Sequence, residues 1–190
     1  MKRCDWCLGS ELYRAYHDTE WGVPTRDDRR HFEFLVLESA QAGLSWITIL
    51  KKRENYRKAY DGFDPRKVAR YGDAKKQKLL ADAGIVRNRL KIEASVNNAQ
   101  KFLEVQKEFG SFSAYLWSFT KGRPVNGKWK TVQDIPARTE LSDRVALDLK
   151  KRGFRFLGST IMYSHLQATG LVNDHIAGCF RRGEVKKLEY

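Results

Sequence analysis

The sequence predicts an all-α fold, and three observations carry that prediction. Apolar residues recur three and four positions apart in segment after segment. Capping residues and glycine stops bracket those segments. Alternating strand patterns are scarce, and the run Arg155-Phe156-Leu157 is too short to count as one.

The elements follow in order. Thr25 can cap a helix through Asp27 and Asp28, with Phe32, Leu35, Val36 and Ala40 at helical spacing. After Gly43 the stretch 45–59 reads the same way. Asp64-Pro65 opens a short helix with proline at its first position. Residues 73–83 follow and stop at Gly84. A long helix over 88–109 carries Leu90, Ile92, Val96, Ala99 and Leu103. Helices over 139–152 and 159–169 stop at Gly153 and Gly170, and 174–182 closes the series. The one loop-like region, about 121–139, holds Gly122, Pro124, Gly127 and Pro136. No low-complexity linker or internal repeat interrupts the 190 residues, so a single unit over 1–190 is expected.

The formal net charge is +13, which favours a polyanionic partner, nucleic acid first. There is no run of eighteen apolar residues and no basic amphipathic tail, and Met1-Lys2-Arg3-Cys4-Asp5 lacks an apolar signal region. The expectation is a cytoplasmic chain with no membrane partner. Three cysteines, an odd number, argue for reduced thiols or a metal over disulfides.

Cys4 and His17 lie near the start; His175 and Cys179 lie near the finish, four apart, so a helix would put both on one face. Together they have the composition of a closed structural zinc site that would clip the two ends of the chain. The spacing fits no standard finger. The other reading is that the cysteines are small buried hydrophobes and His175 is a satisfied helix residue.

Two glycine-marked turns separate helices, at 83–87 and at 150–160. In the second, Gly153 and Gly158 flank Phe154 to Leu157, and a helix starts at Ser159-Thr160. Backbone N–H groups there can face a DNA phosphate, helped by Lys150, Lys151, Arg152 and Arg155. A plain tight turn is the alternative.

Tyr13, Tyr16 and Trp21 crowd the first segment. Glu38 ends the apolar run Phe34-Leu35-Val36-Leu37, and Gln41-Ala42-Gly43-Leu44-Ser45-Trp46 follows. Aromatic faces can sandwich an extruded base, and a carboxylate can accept hydrogen bonds from its edge. A cationic base would gain further from both. The small-residue turn at Gln41 to Leu44 suits the gap left by a flipped nucleotide. Against this, the aromatics could be plain core and the turn a mere connection; a carboxylate among apolar neighbours is the harder feature to dismiss.

Taken together, these residues closely resemble the 3-methyladenine DNA glycosylase I family. The matching stretches are Cys4, Tyr13-x-x-Tyr16-His17-Asp18-x-Glu20-Trp21-Gly22-Val23-Pro24, Leu37-Glu38-x-x-Gln41-Ala42-Gly43-Leu44-Ser45-Trp46, Leu50-Lys51-Lys52-Arg53-Glu54-x-Tyr56, Gly153-Phe154-x-Phe156-Leu157-Gly158 and Gln167-Ala168-x-Gly170-Leu171-Val172-Asn173-Asp174-His175. They run from residue 4 to 179, in order, over essentially the whole chain.

The resemblance implies a helix-hairpin-helix glycosylase fold whose termini are tied by a structural Zn2+ on Cys4, His17, His175 and Cys179. It implies a base pocket of Glu38, Tyr16 and Trp46, with Tyr13 and Trp21 nearby. Gln41, Gly43 and Leu44 would meet the lesion gap, and Gly153, Phe154, Gly158 and Ser159 would hold DNA backbone. Cys7, which with Cys4 spells a CxxC, is not a ligand in the family pattern. The expected partner is alkylated double-stranded DNA, acted on by a monomer without a nucleotide cofactor. The expected reaction is hydrolysis of the N-glycosidic bond of 3-methyladenine. Ser159-Thr160 stands where lyase relatives carry a Schiff-base lysine, so strand nicking is not expected. Asn173 stands where those relatives carry a catalytic Asp; Asp174 is one position off and reads as a cap for the last helix.

Two rival readings remain. A DNA-binding module would use the hairpin without catalysis. A metal hydrolase would open the zinc site and use Glu20, three residues after His17, as its acid or base.

Overall fold

The computed structural model describes residues 1–188. The N-terminal segment leads into α1 (Glu11–Thr19), whose cap Ser10 accepts the Tyr13 N–H at 3.2 Å. Then come α2 (Asp28–Gln41), α3 (Trp46–Ala59), α4 (Pro65–Val68), α5 (Asp73–Ala81) and α6 (Arg89–Phe109). They are followed by α7 (Phe112–Ser118), α8 (Glu140–Lys151), α9 (Ser159–Ala168) and α10 (Phe180–Lys186). The predicted all-α class holds. No described helix is long and apolar enough to cross a membrane.

Most predicted boundaries are met within two residues. Asp27, not Thr25, caps α2, through its carboxylate and the Arg29 N–H at 2.8 Å. Asn88, Thr139 and Asp64 cap α6, α8 and α4. In α6 the apolar stripe differs from the predicted one. Leu90 is 61% exposed, while Phe102 and Val105 join Ile92, Val96 and Ala99 in the core. Two helices escaped the sequence reading, α1 and the seven-residue α7; both are short, and packing rather than propensity sustains such helices.

The predicted helix over 174–182 is the clearest correction. Helix α10 begins only at Phe180. Residues 172–176 are wholly buried; Val172–Asn173 is a short strand, and a turn at 177–178 closes with the Cys179 N–H on the Ile176 carbonyl at 2.8 Å. Val172–Asn173 pairs in parallel with Val125–Asn126, and the Ala177 N–H reaches the Trp129 carbonyl at 2.8 Å. A two-residue parallel pair between distant segments leaves no local pattern to read.

Helix α2 runs through the middle: residues 31–40 are all buried, with α3, α6, α7 and α9 around it. That full burial is why Glu38 lands inside the protein. His31 Nδ1 and His165 Nε2 meet at 3.3 Å between α2 and α9, and burial lowers both pKa values, His31 to about 4. A second, smaller apolar cluster gathers Cys4, Tyr16, Trp21, Phe34, Leu50, Ala168, Ile176 and Cys179. There the first residues of the chain meet the last, and the Phe180 N–H donates to the Lys2 carbonyl at 3.0 Å.

Candidate active site and metal-ligand cluster

Cys4, His17, His175 and Cys179 converge, all four buried, with ligand atoms within 4.8 Å of one another. Helix α1 supplies His17 from its last turn, while the turn-containing loop between residue 173 and α10 supplies His175 and Cys179. The pairing predicted for a helix face is thus achieved by a loop.

The orientation of the imidazoles tests whether a metal fits. His17 Nδ1 lies 2.7 Å from Asp18 Oδ1, and His175 Nε2 lies 3.0 Å from the Trp21 carbonyl oxygen. The Asp18 carboxyl is held below its usual range, first by hydrogen bonds from the Arg3 fork, so it is ionised and only accepts. Both outward nitrogens therefore carry the proton. The inward nitrogens, His17 Nε2 and His175 Nδ1, carry lone pairs and face each other at 3.2 Å. Cys179 Sγ sits 3.4 and 3.5 Å from them, and Cys4 Sγ sits 3.8 Å from His175 Nδ1. Two lone pairs and two sulfurs aimed at one point call for a cation. Hydrogen bonding between the thiols and burial push Cys4 up, while that same bond, with those from His17 and His175, lowers Cys179. Cys7 lies outside this set, buried, its thiol pushed up to about 11 mainly by desolvation.

Against this cluster lies a cavity of about 370 Å³. Tyr13, Tyr16, Trp21, Glu38 and Trp46 all line it, as the sequence predicts. Gln41, expected at the DNA surface, also forms part of its wall. Trp6, Val132, Ile135, Ser164 and Gln167 complete it and were not anticipated. Trp6 was hidden inside the CxxC, and Val132 and Ile135 inside the Gly/Pro loop. Ser164 and Gln167 share a face of α9, three residues apart, a spacing that meant nothing until the cavity was known.

Glu38 is 3% exposed and its Oε2 has no hydrogen-bond partner among the described residues. Desolvation raises its pKa to about 8. Trp46 Nε1 is likewise buried and unpartnered. Tyr16 and Trp46 sit 5.7 Å apart and 54° from parallel, so they form a tilted pair and not parallel walls. Behind them Phe34 stacks on Trp46 at 6.3 Å, and the Arg30 and Arg53 guanidinium groups lie over the Phe34 ring. Arg53 bridges Glu20 and Glu33 at 2.7 and 2.8 Å, and Arg30 reaches Glu20 at 3.1 Å. Glu20 is thereby committed to two arginines and unsuited to act beside a metal.

The rim carries the tract expected to enter DNA. Gly43 has φ +83°, a backbone state glycine adopts without cost, and turns the chain between α2 and α3. Leu44 beyond it is 43% exposed. Lys91 Nζ holds this turn from α6, donating to the Ala40 and Ala42 carbonyls at 2.9 and 2.6 Å. On the other hairpin, between α8 and α9, Gly153 has φ +87°. The Phe156, Leu157 and Gly158 N–H groups find no acceptor among the described residues. Ser159 opens α9 and its hydroxyl meets that of Ser142 at 2.9 Å. Phe154 departs from expectation: its ring is core, 5% exposed, and its N–H bonds the Leu149 carbonyl, leaving neither for DNA. Asp174 also departs from expectation. It caps no helix but is buried, accepting from Trp129, Tyr163 and Gln167.

With this geometry in view, comparison with known proteins is decisive. The sequence profile of the methyladenine glycosylase family matches residues 6–182. The chain belongs to that family. It is 49% identical over 179 residues to DNA-3-methyladenine glycosylase 1 of Escherichia coli (strain K12), covering 94% of this chain and 96% of that one. A crystal structure of 3-methyladenine DNA glycosylase I superposes with a TM-score of 0.91 at 50% identity, over 94% of this chain and 98% of that one. A variant of such an enzyme solved in complex with 3-methyladenine superposes at 0.92 with 38% identity, over 96% of this chain and 98% of the other.

Proposed function

We propose that this member of the methyladenine glycosylase family hydrolyses the N-glycosidic bond of 3-methyladenine in alkylated double-stranded DNA, as a monofunctional, monomeric cytoplasmic enzyme built as one unit over 1–190. The observation that carries this reading is Glu38: a buried carboxyl with a free oxygen facing an aromatic cavity large enough for one purine. A relative of the same fold binds 3-methyladenine.

Methylation at N3 leaves the adenine of DNA cationic. A cationic base departs without being protonated, so the protein's task is to bind it out of the duplex and favour the separating charges. Leu44 and Gly43 fill the gap in the duplex, and Gln41 follows at the cavity mouth. The base lies against the Trp46 and Tyr16 rings, with Tyr13, Trp21 and Trp6 closing the space. Glu38 accepts hydrogen bonds from its edge, and its ionised form is stabilised by the positive charge it meets. Neutral adenine in the duplex offers no such charge and gains less from the same carboxylate, which is a physical basis for selectivity. Gly158 and Ser159 of the α8–α9 hairpin hold the backbone through N–H groups; the Gly153 N–H, expected to join them, is taken by the Lys150 carbonyl at 3.0 Å, and Gly153 only shapes the turn. Ser159 at the place of the lyase lysine excludes an imine, so the product is an intact abasic strand.

Cys4, His17, His175 and Cys179 would hold Zn2+. Four protein ligands leave no position for water, so the ion would supply only a cross-link between the two ends of the chain. The test is release of free base from methylated duplex DNA by wild type and by Glu38→Gln, with folding checked on both. Free 3-methyladenine from wild type, much reduced in a folded variant, supports the assignment. No release by a folded, metal-replete protein would overturn it in favour of a DNA-binding module.

A further inference from the structure

Asp174 is buried and accepts three hydrogen bonds, with no ion pair among the described residues. Trp129 Nε1 donates to Oδ1 at 2.7 Å, and the Tyr163 hydroxyl and Gln167 Nε2 donate to Oδ2, the latter at 2.8 Å. The three donors come from two places: Trp129 from the loop before α8, Tyr163 and Gln167 from α9. The space is tight, since a Cβ on Gly127 would stand 2.2 Å from Asp174 Oδ1 and 2.3 Å from Trp129 Nε1. The carboxylate therefore has little freedom to turn. Gln167 is the one member of the group that also lines the base cavity.

A carboxylate only accepts, so it decides which end of the Gln167 amide faces it. The Nε2 end is taken. The carbonyl end, Oε1, has no hydrogen-bond partner among the described residues, and Gln167 lines the cavity. We propose that Asp174 is a positioning residue: it locks the Gln167 amide so that Oε1 serves, with Glu38, as a second acceptor for a 6-amino purine edge, selecting against a 6-oxo edge. This rests on the cavity being a base pocket. A 6-amino group brings two N–H donors, which two acceptors satisfy. A 6-oxo group brings a lone pair, which two acceptors repel.

The Asp174→Asn variant gives this a sign. Trp129 Nε1 can only donate, so the asparagine oxygen must stay on its side. The asparagine NH2 then faces Tyr163 and Gln167. The Tyr163 hydroxyl can accept by rotating, and Gln167 can accept only by turning its oxygen toward residue 174. Its NH2 then points into the cavity as a donor.

The experiment is calorimetric binding of free 3-methyladenine and free 3-methylhypoxanthine, which differ at position 6, to wild type, Asp174→Asn and Gln167→Met. Thermal midpoints and metal content are checked on each. Wild type should favour the amino ligand by roughly ten- to a hundredfold. Gln167→Met should erase most of that ratio, and Asp174→Asn should lower it further or invert it. Equal weakening of both ligands in both variants would reduce Asp174 and Gln167 to structural supports and overturn the proposal, as would an unchanged ratio. Failure of wild type to bind 3-methyladenine would instead overturn the pocket itself, and this proposal with it.

Discussion

The metal-ligand cluster and the base cavity lie side by side and share residues, yet they treat buried polar atoms in opposite ways. Trp6 packs edge-on to His17 at 5.4 Å and to Tyr13 at 5.4 Å, and Trp21 gives its carbonyl to His175 while lining the cavity. In the cluster, every outward imidazole nitrogen has an acceptor and every inward ligand atom faces the same point. In the cavity wall, Glu38 Oε2 and Trp46 Nε1 are buried with no hydrogen-bond partner among the described residues. Leaving a buried polar atom unpaired costs on the order of 1–3 kcal/mol; His31 Nε2 and His165 Nδ1 bear that cost in the core, but Glu38 and Trp46 bear it at a cavity, where a ligand can offset it. A closed polar set holds the protein together; an open one waits for a substrate.

That contrast can be broken most forcefully at the closed set. Stripping the metal from a protein whose termini depend on it should lower stability by several kcal/mol, because structural zinc contributes of order 10 kcal/mol in small sites. Chelator titration followed by circular dichroism should show unfolding and activity loss together. Activity lost at constant fold would restore the metal-hydrolase reading.

At the open set the expected sign is reversed. Glu38→Gln should cut base release by about a hundredfold or more while the thermal midpoint stays level or rises, since a desolvated carboxyl has gone. A midpoint that fell sharply would make Glu38 a structural residue.

Its titration sharpens the same point. The Glu38 carboxyl is raised to about 8 by burial, so the folded protein keeps a proton that the unfolded chain releases near pH 4.5. The stability this gives is present below that range and is lost as pH rises toward 8. Binding a cation needs the ionised form, so kcat/KM should rise up to tenfold per pH unit below about 8 and level off above, at constant salt. Glu38→Gln should flatten the rise.

Smaller effects belong to the rim. Leu44→Ala should lower release from duplex DNA by about tenfold and leave binding of free 3-methyladenine unchanged. Lys91→Met frees the Ala40 and Ala42 carbonyls and should reproduce that split at a few-fold. Loss of free-base binding in either variant would place the turn inside the pocket.

How much of this was legible in the chain depends on whether the signal was local. Helices with caps, such as Asn88 before α6 and Asp64 before α4, could be read because cap and helix are adjacent. Glu38 could be read because a carboxylate inside an apolar run is anomalous wherever it lies. Gln167 and Asp174 could not, since neither is anomalous alone and their meaning is a hydrogen bond between them. Leu90 misled because helical spacing marks a stripe without saying which edge of it is covered.

Composition and pattern by themselves determined the helical class and the four candidate ligands, and made a polyanionic partner the first expectation, since charge, capping and side-chain chemistry act over one or a few residues. Only the tertiary structure decided that His175 and Cys179 reach the cluster from a loop and not from a helix. It also decided that Phe154 is core, that Glu20 is spent on Arg53 and Arg30, and that Trp6 and Gln167 face the cavity. Those outcomes turn on which distant groups claim a backbone bond or a charge, and that competition is settled by packing across the whole chain.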